Sequence, residues 1–212
     1  MSNYGLAIHT ASASLGLALS NFAEDNRTQV WDLGRETSNV LHQYLIDFLA
    51  PHTWDDLSFL AVAKGPGGFT GTRIGVVTAR TLAQQLDLPL FALSTLAGLA
   101  WQAAKTLDWQ IAIAIQLPAQ RGEVFAAIYQ VQLTDSGQRR LVSLLPDAVL
   151  PEAQWQATLD DWASPYHLVQ PETAIATSVT DLLELAHLDW QQGDRPDWSA
   201  ALPFYGQHPV ER

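Results

Sequence analysis

The sequence contains no cysteine, which excludes a disulfide framework, a zinc–thiolate centre and a cysteine nucleophile. Basic residues are scarce, with 11 Lys and Arg against 22 Asp and Glu for a formal charge of -11. Such a surface repels phosphates, so any role involving tRNA or DNA has to be indirect rather than a strong direct hold. No segment reaches the roughly 18 apolar residues of a membrane span, and the opening MSNYGLAIHT lacks the basic start and long apolar run of a signal peptide. We therefore expect a soluble, cytoplasmic protein with no membrane contact. The sequence also lacks H-E-x-x-H and G-x-S-x-G. His9, His42, His52, His167, His187 and His208 are scattered, with no pair three or four residues apart as a helical metal chelate requires.

What is present is apolar: 48% of 212 residues, enough to bury a core as one compact unit or two small lobes. The chain is organised around Leu60 to Leu86, LAVAKGPGGFTGTRIGVVTARTLAQQL. Leu60 to Ala63 reads as a short inner strand. Gly65, Pro66, Gly67 and Gly68 stop it, and a helix opens directly afterwards, with Thr70 as its candidate cap. Strand, glycine turn and helix together invite a phosphate-loop reading, but the spacing departs from it. Gly71 is followed by Thr72 and Arg73 where a Walker loop needs Lys and Ser or Thr, and Gly65, Gly67 and Gly71 give G-x-G-x-x-x-G, one residue longer than the dinucleotide fingerprint. The turn at Gly65, Gly67, Gly68 and Gly71 is therefore read as structural, letting the helix lie close to its sheet.

At 3.6 residues per turn, Gly71, Gly75, Ala79, Leu82 and Leu86 share one side of that helix, suited to close packing. The other side carries Arg73, Val76, Val77, Arg80 and Gln84. It reads either as a partner surface or as an ordinary solvent face with isolated valines.

Around this centre the pattern predicts a hairpin from Tyr4–Ile8 and Leu15–Ser20, a third strand at Thr28–Gly34, and a helix running to about Ala50 that Thr37 or Ser38 can cap. That helix carries the stripe Leu41, Tyr44, Leu45 and Phe48, broadened by Val40. A strand at Leu90–Leu93 and a helix opening at Ser94 follow. The second half restates the first: IAIAIQ, a turn, then EVFAAIYQVQ repeat the opening strand, turn and strand. A strand within Leu141–Leu150, a short helix at Pro151–Leu159, a strand at Tyr166–Val169 and a helix over Ala174–Gln191 complete the reading. Strands in a meander that then alternate with helices predict mixed sheets with helices packed on them.

The segment KGPGGFTGTRIG, Lys64 to Gly75, resembles the signature G-P-G-S-F-T-G-x-R-I-G of the bacterial TsaB (YeaZ) family, with Gly68 in place of the usual Ser. Leu6, Ala7 and Ile8 are similar to that family's opening strand, Arg35, Glu36 and Ser38 to its R-E-H-T, Ser94 to Leu96 to its V-S-T-L, and Gly122 to Phe125 to its G-E-V-Y. Beyond about Tyr129 only Pro203 and Tyr205 match, with Gly206 and Gln207 departing from the family's ending. The resemblance implies a two-lobed α/β protein of the actin-like, Hsp70-like and sugar-kinase-like ATPase fold, each lobe a mixed sheet with packed helices. We divide it at 1–98 and 99–212, with a tail that can return to the first lobe. Where the family usually keeps Asp in its first phosphate hairpin this chain has His9, and Pro118 stands at the corresponding place in the second. A phosphate-handling site needs such carboxylates, so we expect no catalytic residue, no cofactor and no metal.

The same resemblance implies a non-catalytic subunit of the machinery that places N6-threonylcarbamoyl on adenosine 37 of tRNA. It would bind and stabilise a TsaD-like transferase as a heterodimer, with a TsaE-like ATPase as third subunit and a homodimer when the partner is absent. The contact is expected on helices 38–50 and 71–86, at Val40, Leu41, Tyr44, Arg73, Val76, Val77 and Arg80. Two other readings compete: an ATP-dependent kinase or hydrolase of the same fold, and a self-sufficient homodimeric regulatory or protease-associated factor.

Overall fold

The computed structural model describes residues 4–171 and 175–206; Gln207 and His208 lie outside them. These divide into two compact units, one of residues 4–95 with 175–205, the other of residues 96–171 with 206. The division at 98 thus lies near the observed crossover, but the helix expected over Ala174–Gln191 belongs with the first unit rather than the second. Its contacts give the reason: Val179, Leu183 and Ala186 bury against Ala7, Ala18, Phe59 and Phe91 of the first sheet. The helix begins as a 3-10 turn at Ile175–Ser178 and becomes regular only from Val179; Ala174 is outside the described residues.

The first sheet has the order β3-β2-β1-β4-β5. β1 (Tyr4–His9), β2 (Ser14–Ser20) and β3 (Asn26–Asp32) form the antiparallel meander, while β4 (Leu57–Ala63) and β5 (Leu90–Leu93) join in parallel beside β1. β1 and β4 are apolar on both faces because helices cover both. On one face lie α1 (Thr37–Leu49) and α2 (Phe69–Leu86), packed on Leu6, Ile8, Leu17, Leu60 and Val62. The other face carries the helix from Val179 to Gln191, numbered α5 below.

α1 buries Thr37, Leu41, Leu45 and Leu49, a strict fourth-residue stripe. The expected hydroxyl caps do not act as caps. Thr37 Oγ1 donates back to Gly34 O at 3.1 Å and Ser38 Oγ to Arg35 O at 3.3 Å, so neither accepts from the helix. α2 likewise starts earlier than expected: Gly68 is its N-cap, and Thr70 lies within the first turn.

The second sheet, β8-β7-β6-β9, repeats the first four places of the first. β6 (Ala112–Pro118), β7 (Glu123–Leu133) and β8 (Arg139–Pro151) are antiparallel, and β9 (Tyr166–Val169) runs parallel to β6. This unit also contains α3 (Thr95–Ala104), from Leu96 on, and α4 (Glu152–Asp160). α4 presses Trp155 and Leu159 onto Ala112, Ala114, Ala126 and Ile128, where the three alanines leave room for the indole. The buried Trp155 Nε1 donates to Gln116 Oε1 at 2.9 Å, satisfying the one polar atom the ring brings inside.

Trp155→Ala is expected to cost about 3–5 kcal/mol in urea unfolding because the alanines beneath cannot fill the space. Trp155→Phe keeps most of the packing and is expected to lose only about 1–2 kcal/mol, through the hydrogen bond and the smaller ring.

Candidate functional site

β4 ends at Ala63 because its backbone partners change. Lys64 N donates to Leu93 O at 2.8 Å, Phe204 N to Lys64 O at 2.7 Å, and Thr95 N to Gly65 O at 2.8 Å. Gly65 has φ +101, a backbone state that a side chain would strain, and a Cβ there would strike the carbonyl of Phe204. The following glycines answer to a different neighbour, the β1–β2 turn. A Cβ on Gly67 would strike Ala11 O, one on Gly71 would strike Thr10 O, and one on Gly75 would strike Thr10 Oγ1. α2 is thus seated backbone to backbone on the hairpin, and Thr10 Oγ1 closes the contact by donating to Gly71 O at 2.8 Å. The structural reading of the turn acquires a specific partner: the hairpin turn, not only the adjoining strand.

The same seating spends one donor that an anion-binding turn would present: Gly68 N donates to Ala11 O at 2.7 Å. Gly68 alone among these four glycines has ordinary space, with the nearest atom 3.7 Å from an added Cβ. Its replacement of a serine in the resembling signature is therefore sterically neutral.

At the end of β1, His9 is fully buried, and neither ring nitrogen has a hydrogen-bond partner among the described residues. Desolvation pushes its pKa down to about 4, so the ring is neutral near pH 7. A buried neutral imidazole supplies no negative charge for organising a metal ion. Pro118, at the exposed end of β6, supplies no side-chain ligand at all. Among the described residues no three His, Asp or Glu side chains come close enough to hold a metal ion.

The expected contact residues divide into groups. Arg73 and Val77 are exposed, Val77 by 51%, and Val40 and Tyr44 are partly exposed. Arg80 is half-covered, its guanidinium 5.8 Å above the Trp198 ring. Leu41 and Val76 are fully buried and cannot present a side chain to a partner, which corrects their placement on the contact. The buried stripe of α2 is Thr72, Gly75, Val76, Thr78, Ala79 and Ala83, so Val76 sits beside Gly75 and Ala79 rather than opposite them.

Three apolar residues missed by the sequence reading join the exposed set: Ile46 on α1 at 54%, Phe69 at the start of α2, and Leu202 at 63% on the returning tail. Ile46 had a legible signal, an apolar residue among the polar side chains of α1. The tail had none, since its position follows from Phe204 pairing with Lys64 and from Tyr205 lying 4.5 Å from the Phe69 ring.

Two sheets that repeat one strand order, each with helices packed on it, define a two-unit α/β protein of the actin-like ATPase fold class. Comparison with known proteins gives the family. The chain is 33% identical over 175 residues to the tRNA threonylcarbamoyladenosine biosynthesis protein TsaB of Bacillus subtilis (strain 168), covering 80% of this chain and 72% of that one. It is 34% identical over 127 residues to TsaB of Escherichia coli (strain K12), covering 59% and 54%. The family model described as TsaD: tRNA N6-adenosine threonylcarbamoyltransferase matches residues 42–146. A solved Pseudomonas aeruginosa protein, described as uncharacterized with similarity to peptidase YEAZ, has the same fold, with a TM-score of 0.77 at 24% identity over 97% of this chain and 100% of that one. The chain belongs to the TsaB family.

Two predictions follow from the geometry. Gly71→Ala is expected to cost about 1–3 kcal/mol, because the hairpin backbone must move aside. Gly68→Ser should be neutral or stabilising by about 0.3 kcal/mol through N-capping of α2, and thermal unfolding of the two variants checks both. His9 makes stability pH-dependent. With its folded pKa at about 4, below the unfolded 6.5, the unfolded chain binds the extra proton between those values. Stability is therefore complete above pH 6.5 and falls as pH drops toward 4, by about 3 kcal/mol in all. His187, lowered by its own partial burial, adds to the same limb. Urea titrations from pH 4 to 8 should show most of that dependence removed in His9→Leu.

Proposed function

We propose that this chain is the non-catalytic subunit of the machinery that installs N6-threonylcarbamoyl on adenosine 37 of tRNA, where it binds and stabilises a TsaD-type transferase. The observation that supports this most directly is the pair of exposed aliphatic side chains, Ile46 on α1 and Val77 on α2, on helices that share one face of the first sheet. Chemistry of its own is disfavoured by the neutral His9 and by the Gly68 amide committed to the hairpin.

The contact set is Val40, Tyr44, Arg73, Val77 and Arg80, extended by Ile46. Its aliphatic centre is flanked by two guanidinium groups and an aromatic ring, residue types that carry large shares of interface energy. The physical role is to bind one conformation of the transferase more tightly than its others, raising the population of that conformation. A TsaE-type ATPase docks on the resulting pair, and without the transferase the same face closes on a second copy of this chain. The work takes place in the cytoplasm, with tRNA held by the partner, since 22 acidic residues against 11 basic ones give this surface little attraction for phosphates.

Titration of a TsaD-type transferase with this protein, read by size-exclusion chromatography and calorimetry, is expected to give a stable one-to-one pair. Val77→Asp buries a charge at the centre of the contact and is expected to weaken it about 100-fold while leaving thermal unfolding of the free protein unchanged. Unaltered association of Val77→Asp, or micromolar binding of Mg-ATP by this protein alone, would overturn the reading.

A further inference from the structure

The C-terminal end of α1 lacks a cap of its own. Ala50 leaves the helix in an extended conformation, no basic residue lies in the last turn, and no glycine closes it. Leu49 O accepts from His52 N at 3.0 Å, and two further carbonyls at this end are met from the edge of the sheet. Arg27, on β3, donates from Nη1 to Phe48 O at 3.2 Å and to Ala50 O at 2.7 Å, placing a positive charge where the helix dipole favours one.

β3 is otherwise an exposed edge strand. Only Arg27 and Trp31 along it are partly covered, and these share one face at i, i+4. Trp31 stands edge-on to Tyr44 at 4.9 Å and to Phe48 at 6.0 Å. The two covered side chains of β3 therefore both grip α1, one through its aromatic stripe and one through its last carbonyls.

Arg27 is itself held. Its Nε lies 3.4 Å from Asp25 Oδ1. The other carboxylate oxygen accepts from Tyr4 Oη at 2.9 Å and lies 2.7 Å from His52 Nε2, and the Tyr4 and His52 rings lie tilted at 37° with centroids 4.2 Å apart. The cluster joins β1, the β2–β3 turn, β3 and the segment just after α1. The contacts of His52 and Tyr4 keep the Asp25 carboxyl below the usual range, so it stays ionised at neutral pH.

We propose that Arg27, backed by Asp25, is a positioning residue for partner binding: it fixes the last turn of α1, and with it Ile46 and Tyr44, in the orientation that docks. This rests on the docking reading above. The groups sit at the surface, where an ion pair contributes little to global stability. Their effect is local order of one turn, which a partner otherwise has to impose at the cost of its own binding energy.

Hydrogen exchange of the free protein and calorimetric affinity for a TsaD-type transferase, measured on Arg27→Met, Arg27→Lys, Asp25→Asn and Val77→Asp, test this. Arg27→Met is expected to speed exchange of the amides from Ile46 to Ala50 about tenfold, leave α2 and α5 unchanged and weaken affinity about tenfold. Arg27→Lys should recover part of both effects, because an ammonium keeps the charge at the helix end without the rigid planar group that aims Nη1 at both carbonyls. Asp25→Asn should fall between wild type and Arg27→Met. Unchanged exchange at the end of α1 in Arg27→Met overturns the proposal, whatever the partner does. So does faster exchange with unchanged affinity while Val77→Asp abolishes binding. If Val77→Asp also binds normally, the docking reading itself has failed and the role of Arg27 in docking falls with it.

Discussion

The structure depends on one close approach, the seating of α2 on the β1–β2 turn. Gly71 and Gly75 lie one turn apart on α2 with Gly67 just before it, and the Ala11 carbonyl, the Thr10 carbonyl and the Thr10 hydroxyl press against Gly67, Gly71 and Gly75 in turn. A side chain on any of the three would lift the helix from the sheet. From this contact follow the burial of Val76 and Ala79 against the sheet and the outward placement of Arg73 and Val77. The glycine turn and the helix proposed to dock are one continuous segment, and the turn's close packing on the hairpin fixes the helix that leaves it.

The rest of the first unit is arranged to hold two helices on one side. α5 closes the opposite face with Val179, Leu183 and Ala186, supported by a cluster in which Phe59 meets Phe91 edge-on at 5.5 Å. With that face sealed by the chain's own return, the α1 and α2 layer is left with aliphatic side chains facing outward. The tail that returns after α5 secures the start of α2, through Phe204 pairing with Lys64 and Tyr205 lying against Phe69. β3, an edge strand open to solvent along most of its length, spends its two covered side chains on α1. Sheet edges are ordinarily blunted by charge or cover; here Arg27 both blunts the edge and caps a helix.

His9 illustrates what a neutral core costs and permits. Its ring sits without hydrogen bonds among the described residues at the end of a fully buried strand, a loss limited because the imidazole is neutral near pH 7, whereas an ionised carboxylate there would demand a counter-charge or water. The side chain that replaces an acid in the hairpin is compatible with a dry interior. The hairpin turn can then be packed tightly enough to receive α2.

Much of this was legible in the residues. The glycine spacing excluded the known phosphate fingerprints because those depend on backbone geometry counted residue by residue. The repeated strand, turn and strand in the two halves appears as the matching orders β3-β2-β1-β4 and β8-β7-β6-β9, since alternation and turn chemistry are local. The buried stripe of α2 was off by one position, because Gly71 and Gly75 mark where backbone comes close and not where the apolar face is centred. The caps assigned to Ser38 and Thr70 failed because a hydroxyl near a helix start donates or accepts according to which backbone groups surround it. What the sequence by itself determined is the set of local conformations, the missing carboxylates and the membership in a family, all carried by residue type and spacing. Only the tertiary structure decided that α5 and the tail return to the first unit, that Leu41 and Val76 face inward while Ile46 faces out, and that Arg27 closes a helix 21 residues away in the chain from Phe48. Those outcomes are contacts between distant segments, and their energies exist only once the sheet has brought the segments together.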